Sequence, residues 1–294
     1  MASEDLSSRT EPAVTETGQV AEAVDKALWT TPEAGTWRAR FVLYAPAVAV
    51  FVVTILLWEL VVIAFDIQNF LLPRPSVIAV TFIENFDRLV HIGWFTTKEA
   101  LGGFFIGGTF GILVALATAR WTTASESLLP FAIAANSVPI IAFAPIINNW
   151  FGVDNPLSKM MIVAIIVFFP VMINTTRGLT MVSHDALELM RSYAASEQAI
   201  LFKLRVPNAL PYMFNAFKVA AALSMIGAIV SEYFGGNRSA LGVFITQEAA
   251  QFRFDRSWSA IIVACLVGIT FYLIIVSVER MIIPWHVSVR GSES

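Results

Sequence analysis

A polar stretch at residues 185–207 interrupts the apolar second half of the sequence and carries the side chains best suited to binding a partner. Its charged residues are Asp185, Glu188, Arg191, Glu197, Lys203 and Arg205. Its apolar residues recur at three- and four-residue steps, as one face of a helix does, and are Leu187, Met190, Tyr193 and Ala194. A second short run follows a polar break and ends at Pro207. The pattern predicts two short helices with a bend, and an exposed amphipathic hairpin of this kind is suited to docking a soluble partner.

A second group of polar side chains lies inside apolar segments that are long enough to span a membrane. Its members are Asn136, Ser137, Asn174, Arg177 and Glu232. Polar groups at membrane depth must face protein or water, so the cluster predicts a translocation path. Each asparagine could equally hydrogen-bond two helices together. Glu232 could equally form a salt bridge with Lys159, Arg238 or Arg256.

Catalytic and metal-binding signatures are missing from the sequence. It has no Gly-x-x-x-x-Gly-Lys-Ser/Thr loop for nucleotide phosphates and no Gly-x-Ser-x-Gly nucleophile motif. His91, His184 and His286 are far apart, and Cys265 is the single cysteine. We therefore expect no catalytic residue, metal or cofactor in this chain, and we expect His184 and Asp185 to cap the hairpin.

The composition is that of a protein with several membrane spans. Hydrophobic residues make up 57% and charged residues 14%, against about 25% charged in soluble domains, and the mean hydropathy is +0.71. The net charge of −3 does not suggest nucleic acid. Each span needs about 20 mostly apolar residues. The six predicted spans are residues 41–65, 99–119, 128–147, 159–176, 212–234 and 259–278.

Shorter elements are predicted between the spans. Two prolines precede Ser76, which is expected to cap a short interfacial helix at 77–90. Another short helix is expected at 243–252. Gly103, Gly107 and Gly111 recur at four-residue steps, which predicts a face where two helices pack closely.

The chain divides into a membrane domain and two tails. Residues 1–38 are expected to be a largely disordered cytoplasmic tail, residues 39–286 the transmembrane domain with its hairpin at 184–208, and residues 287–294 a short cytoplasmic tail. With both termini inside, 12 of the 19 Lys and Arg residues are cytoplasmic and seven are outside. This bias also places the hairpin in the cytoplasm.

The hairpin resembles the cytoplasmic loop of the membrane subunits of ATP-binding-cassette importers. That loop is patterned Glu-Ala-Ala, three residues, Gly, nine residues, Ile-x-Leu-Pro. Here the corresponding residues are Glu188-Leu-Met, three residues, Ala194, nine residues and Leu204-Arg-Val206-Pro207. Ala replaces the Gly, and Ala adopts a left-handed turn less readily. Residues 72–77, 147–152, 168–171 and 231–233 resemble landmarks of the nitrate/sulfonate/taurine branch, so the likeness covers roughly residues 41–285.

The resemblance implies an all-α integral membrane protein with six transmembrane helices, like a type I importer, with a cytoplasmic coupling hairpin. It implies a bacterial inner-membrane permease subunit that works by alternating access. The implied partners are a second copy of the chain, two ATPase subunits that bind ATP and Mg, and an external solute-binding protein. The implied ATPase contacts are Asp185, Glu188, Arg191, Tyr193, Ala194, Ala195, Ser196 and Pro207.

Three alternatives stay open at this point. A secondary transporter or channel fits six spans but leaves the patterned hairpin unexplained. An intramembrane enzyme would need a convergent catalytic set inside the spans. The solute could be a small oxyanion or sulfonate, or a heterocycle such as a pyrimidine vitamin precursor.

Overall fold

A computed structural model describes residues 37–119 and 122–284, with side chains for residues 45–119 and 129–284. Every regular element in these residues is a helix. The helices are α1 (Trp37–Ala64), α2 (Pro75–Glu84), α3 (Phe86–Ala119), α4 (Thr122–Asn136), a 3₁₀ turn (Ile140–Phe143), α5 (Ala144–Phe151), α6 (Pro156–Thr180), α7 (His184–Ser192), α8 (Glu197–Ile200), a π turn (Leu201–Arg205), α9 (Val206–Tyr233), α10 (Leu241–Ala250) and α11 (Phe254–Ile282). The expectations for residues 1–36 and for the tail at 287–294 lie outside the described residues, while residues 37 and 38 of the expected first tail belong to α1.

Residue contacts divide the chain into two units, 1–52 with 290–294 and 53–289. In the first unit the described residues, 37–52, are helical and form the start of α1. Every tertiary contact discussed below lies within the second unit.

Five continuous helical segments are long and apolar enough to cross a membrane. They are Ala45–Ala64, Phe86–Ala119, Pro156–Thr180, Glu197–Tyr233 and Phe254–Ile282. The segments that begin at residues 45 and 254 bury few of their side chains, as helices facing lipid do. The described residues thus confirm the predicted all-helical membrane architecture.

The predicted third span is broken rather than continuous. Leu129–Asn136 and Ile140–Phe151 meet at an angle of 73°. Pro139 has no backbone N–H to continue the first helix and disfavours helical geometry at Val138. The span predicted over 128–147 is therefore a bent pair of helices, because a proline stops the first helix inside a continuous apolar segment.

The centre of the second unit is formed by α3, α6 and α9, which pack along one another. The predicted glycine face of α3 lies against α6. A Cβ atom added to Gly107 would lie 2.2 Å from the carbonyl oxygen of Ala164, and one added to Gly103 would lie 2.4 Å from Cβ of Val163. The two backbones therefore approach more closely than any side chain at Gly107 would allow, and the packing role of the stripe is confirmed.

The segment after the first span differs from its prediction. Arg74 is the N-cap of α2 and Pro75 opens the helix, so Ser76 does not cap it. Instead, the backbone N–H and hydroxyl of Ser76 both donate to the carboxylate of Glu59, at 3.0 and 2.7 Å. The helix ends at Glu84, and Phe86 to Val90 belong to α3. Ser76 therefore hydrogen-bonds to Glu59 of α1 instead of capping α2.

Candidate functional site

The hairpin begins with a helix that is capped by a side chain before it. Ser183 is the N-cap of α7, and its hydroxyl accepts a hydrogen bond from the N–H of Ala186 at 3.3 Å. His184 and Asp185 follow inside the first turn, so the expectation that they cap the hairpin was wrong. Asp185 at the positive end and Arg191 at the negative end of α7 both complement the helix dipole.

The bend of the hairpin is made by Ala194 in the left-handed conformation, with φ of +50°. The N–H of Ala194 donates to the carbonyl of Arg191 at 2.9 Å, and the N–H of Ala195 donates to Met190 at 3.0 Å. This arrangement closes the last turn of α7 in the way glycine usually does at a helix end. Ser196 then caps α8 by accepting from the N–H of Ala199. The residue in the glycine position of the family pattern therefore adopts a glycine-like geometry.

We expect Ala194→Gly to stabilise the bend and Ala194→Val to destabilise it. A left-handed φ costs an L-residue about 1–2 kcal/mol, and a β-branched side chain costs more. Hydrogen exchange of the amides in residues 184–200 measures the effect locally. Glycine should keep or raise their protection, and valine should lower it by roughly tenfold in exchange rate. Equal exchange in both variants would show that the bend is not held at Ala194.

Most residues predicted to dock an ATPase are exposed on the hairpin. Those with exposed side chains are Asp185, Glu188, Arg191, Tyr193, Ala194 and Ser196, while Ala195 is half-buried. Tyr193 is 78% exposed and Leu189, one helical turn before it, is 57% exposed. The predicted apolar face is therefore divided: Leu187 and Met190 are half-buried, and Tyr193 and Ala194 are exposed.

The second arm of the hairpin does not end at Pro207, as the sequence pattern had suggested. It passes through the π turn directly into α9, so that residues from Glu197 to Tyr233 form one helical segment. Pro207 is half-buried in the first turn of α9, where its missing N–H is tolerated. The second arm of the hairpin is therefore a continuous extension of a membrane helix.

Three of the predicted path residues meet at one cavity. Asn136, Asn174 and Arg177 line a space of about 670 Å³ between α4, the 3₁₀ turn, α6 and α9. The other lining residues are Ile133, Pro139, Ile140, Ile141, Ile166, Pro170, Ile173, Val219, Leu223, Ile226 and Gly227. Most of this wall is aliphatic, so the three polar side chains are the groups that can orient a solute.

Chemically, the cavity offers one cation and two amides. The amide N–H of Asn174 donates to the carbonyl of Pro170 at 2.8 Å, which fixes the side chain on the wall of α6. Arg177 lies one turn further along the same helix, is exposed, and forms no ion pair among the described residues. A guanidinium with no local carboxylate can bind an anionic group through paired N–H donors.

The other two predicted path residues lie elsewhere. The Ser137 hydroxyl donates to the carbonyl of Ile133, and Ser137 is not among the lining residues. Glu232 is 1% exposed at the other end of α9 from the hairpin. Its carboxylate accepts from the hydroxyl of Thr96 at 2.7 Å and from the N–H of Gly242. Glu232 therefore caps α10, and it forms no salt bridge with Lys159, Arg238 or Arg256 in the described residues.

Two buried charged residues beside Glu232 were missed by the sequence reasoning. Lys159 and Glu99 were expected at span ends, but they are 1% and 3% exposed. The ammonium of Lys159 donates to Asn148 at 2.9 Å, to Ser158 at 3.1 Å and to the carbonyl of Val153. The helices begin at Phe86 and Pro156, before the predicted span boundaries, so both residues lie inside helices rather than at their ends.

The chain matches a family of transport proteins over more than half its length. The family described as binding-protein-dependent transport system inner membrane component matches residues 107–285. A formylaminopyrimidine transport permease protein of Halalkalibacterium halodurans is 28% identical over 80% of this chain and 94% of its own. A riboflavin transport system permease protein of Chloroflexus aurantiacus is 28% identical over 79% and 86%. A taurine transport system permease protein of Escherichia coli is 26% identical over 68% and 72%.

The family match begins inside the glycine face of α3 and ends just past α11, so it includes the cavity and the hairpin. The multiple apolar helices agree with an inner-membrane protein that crosses the bilayer several times. The chain belongs to the binding-protein-dependent transport system inner membrane components, the permease subunits of ATP-binding-cassette importers.

Proposed function

We propose that this chain forms the translocation path of an ATP-driven importer and that its hairpin transmits movement from ATPase subunits to the membrane helices. The observation that carries the proposal is the continuity of the hairpin with α9. Residues 197–233 form one helical segment, which begins at the exposed bend and later lines the cavity with Val219, Leu223, Ile226 and Gly227. A displacement of the bend therefore moves one wall of the cavity.

The proposed assembly contains two copies of this chain, two ATPase subunits that bind ATP and Mg, and an external solute-binding protein. One chain supplies one hairpin, so a symmetric pair gives one docking surface for each ATPase. The hairpin and both termini lie in the cytoplasm in this proposal, as the bias of Lys and Arg residues favours.

The proposed solute is a small anion with an organic body, of the sulfonate or taurine kind. The support is Arg177, the one charged residue among the described residues that line the cavity. A neutral heterocycle is the second candidate, because two relatives are named for formylaminopyrimidine and riboflavin and the cavity wall is mostly aliphatic.

The test is purification of the chain from its native membrane with whatever accompanies it. We expect a P-loop ATPase at one copy per permease chain and a binding protein. Mass spectrometry of the solute released from that binding protein identifies the substrate. In proteoliposomes, uptake of this solute should require Mg-ATP and persist after an ionophore collapses the proton gradient. A chain that purifies alone and loses transport with the proton gradient would establish a secondary transporter instead.

A further inference from the structure

The root of α9 is tied by side-chain hydrogen bonds to the ends of two other membrane helices. The guanidinium of Arg205 donates to the carbonyl of Ala119, the last described residue of α3, at 2.6 Å. The amide of Asn208 donates to the carbonyl of Gly178 at 2.8 Å and to that of Met181 at 3.1 Å, in the last turn and C-cap of α6. Two residues three positions apart thus join α9 to α3 and to α6.

The acceptors on α6 are groups that a helix cannot satisfy by itself. The last four carbonyls of an α-helix have no partner within the helix, and the amide of Asn208 supplies one to Gly178 and to the C-cap Met181. The guanidinium of Arg205 adds a charged donor, which makes a stronger hydrogen bond to the carbonyl of Ala119. Each tie fixes the position of its donor relative to one helix.

Close packing reinforces the same junction. A Cβ atom added to Gly178 would lie 2.7 Å from Cα of Ala209, so the end of α6 and the start of α9 are in backbone contact. Ile200 is 1% exposed, and Leu201 and Val206 pack against the cluster that contains Ala119 and Ala209. The second arm of the hairpin is therefore embedded in the helix ends that it is tied to.

The hydrogen-bond ties reach α3 and α6 but not the other helices. Among the described residues, no hydrogen bond joins residues 184–208 to α4, to the 3₁₀ turn, to α5, to α10 or to α11. α4 meets the junction through apolar packing, because Leu129 and Ala132 belong to the same cluster as Ala119 and Ala209. α6 and α9 both line the cavity, so a displacement of the tied helices changes its shape.

We propose that Arg205 and Asn208 are positioning residues for transport, which make α3, α6 and α9 follow the hairpin as one body. The proposal rests on the proposed coupling role of the hairpin. Without the ties, the hairpin would still dock its ATPase, but its movement would bend the π turn at Leu201–Arg205 rather than displace the three helices. A π turn is a local irregularity of a kind often found at functional sites.

The experiment measures the accessibility of one residue in the cavity wall, so the transported solute need not be identified. Cys265 is replaced by serine and Ile226, an exposed lining residue of the cavity, by cysteine. The complex of this chain with its ATPase is labelled at residue 226 with a water-soluble maleimide. Labelling is measured once without nucleotide and once after the complex has been trapped with Mg-ATP and vanadate. We expect trapping to change the labelling rate about tenfold with Arg205 and Asn208 intact, and less than about twofold in Arg205→Ala or Asn208→Ala.

Each variant has a matched control. Arg280→Ala removes an exposed arginine of α11, and Asn215→Ala removes an exposed asparagine of α9; neither residue forms a hydrogen bond in the described part of the chain. Both controls should keep the full labelling change. Arg205→Lys retains a donor and a positive charge, so it should recover part of the response. All variants should still bind the ATPase and trap nucleotide.

The outcomes separate the two proposals. If the complex with both ties intact traps nucleotide and the labelling of residue 226 does not change, the coupling role of the hairpin fails. If that complex responds and the Arg205→Ala and Asn208→Ala complexes respond equally, the ties are only structural and this inference fails. Should Arg205→Ala not assemble, Asn208→Ala decides the question, because it removes a neutral amide without altering charge.

Discussion

Glu188→Lys is expected to abolish transport while leaving the chain folded in the membrane. The side chain of Glu188 is 68% exposed, and its one ionic contact in the described residues is with His184, 3.7 Å away in the previous turn. Reversing its charge therefore changes the surface of α7 and not its packing. A partner surface complementary to a carboxylate would repel the ammonium, and like charges in an interface cost several kcal/mol.

Uptake into proteoliposomes and recovery of the ATPase on the purified permease measure this effect. We expect uptake to fall by at least about tenfold and ATPase recovery to fall with it, which corresponds to at least about 1.4 kcal/mol of docking free energy. Glu84→Lys is the matched control, because Glu84 is an exposed acid at the end of α2, away from the hairpin. Normal uptake by the Glu188→Lys variant would show that Glu188 is not part of the docking surface.

The Gly107→Ala variant is expected to give a much lower yield of folded protein, whereas the Gly108→Ala variant is expected to fold like the parent chain. A Cβ atom at Gly107 would lie 2.2 Å from the carbonyl oxygen of Ala164 and 2.9 Å from its Cα, so α3 and α6 must separate. At Gly108 the nearest atom is Cε1 of Phe217, at 3.8 Å. Both changes gain the same helix propensity. Their difference therefore reports the steric clash, which for overpacking in a core is about 1–3 kcal/mol or more.

Detergent-solubilised yield and thermal unfolding of the two variants test this expectation side by side. Gly107→Ala should give less monodisperse protein and a lower unfolding temperature, and Gly108→Ala should match the parent chain. Similar behaviour of the two would mean that α3 and α6 can move apart without cost. That result would contradict the close packing on which the central three-helix group depends.

The bend of the hairpin was predictable because it is decided by neighbours in the chain, and the structure places a left-handed residue at Ala194, the glycine position of the loop pattern. The caps were predicted wrongly, because Ser183 and Ser196 cap the two helices rather than His184 and Asp185. The number and approximate position of the spans were also predictable, because hydropathy is a property of each segment by itself.

Features that depend on distant residues were not predictable in the same way. Ser76 pairs with Glu59 rather than capping its own helix, and Lys159 and Glu232 are buried by groups from other elements. The size of the bend at Pro139 depends on how the two helices pack, and no local rule gives it. Of the five proposed path residues, Asn174 and Arg177 share a helix face by their spacing, but only the fold brings Asn136 of α4 to the same cavity.

The partners of the buried charged groups also set an order of assembly during synthesis. All three acceptors of Lys159 precede it in the chain, within 11 residues. Glu232 needs Thr96, which is made earlier, and Gly242, ten residues later. The salt bridge of Lys218 instead needs Glu279, at 3.0 Å in space but 61 residues later in the chain.

An unpaired charge in a membrane helix costs about 2.5–3.5 kcal/mol at the bilayer centre. The hydrogen-bond partners of Lys159 and Glu232 are all present once residue 242 has left the ribosome, and buried Glu248 gains Arg253 and Arg256 soon after. Lys218, in the half of α9 nearest the hairpin, has no carboxylate partner until Glu279 of the last helix arrives. Among these groups, the ammonium of Lys218 therefore waits longest for its partner during synthesis.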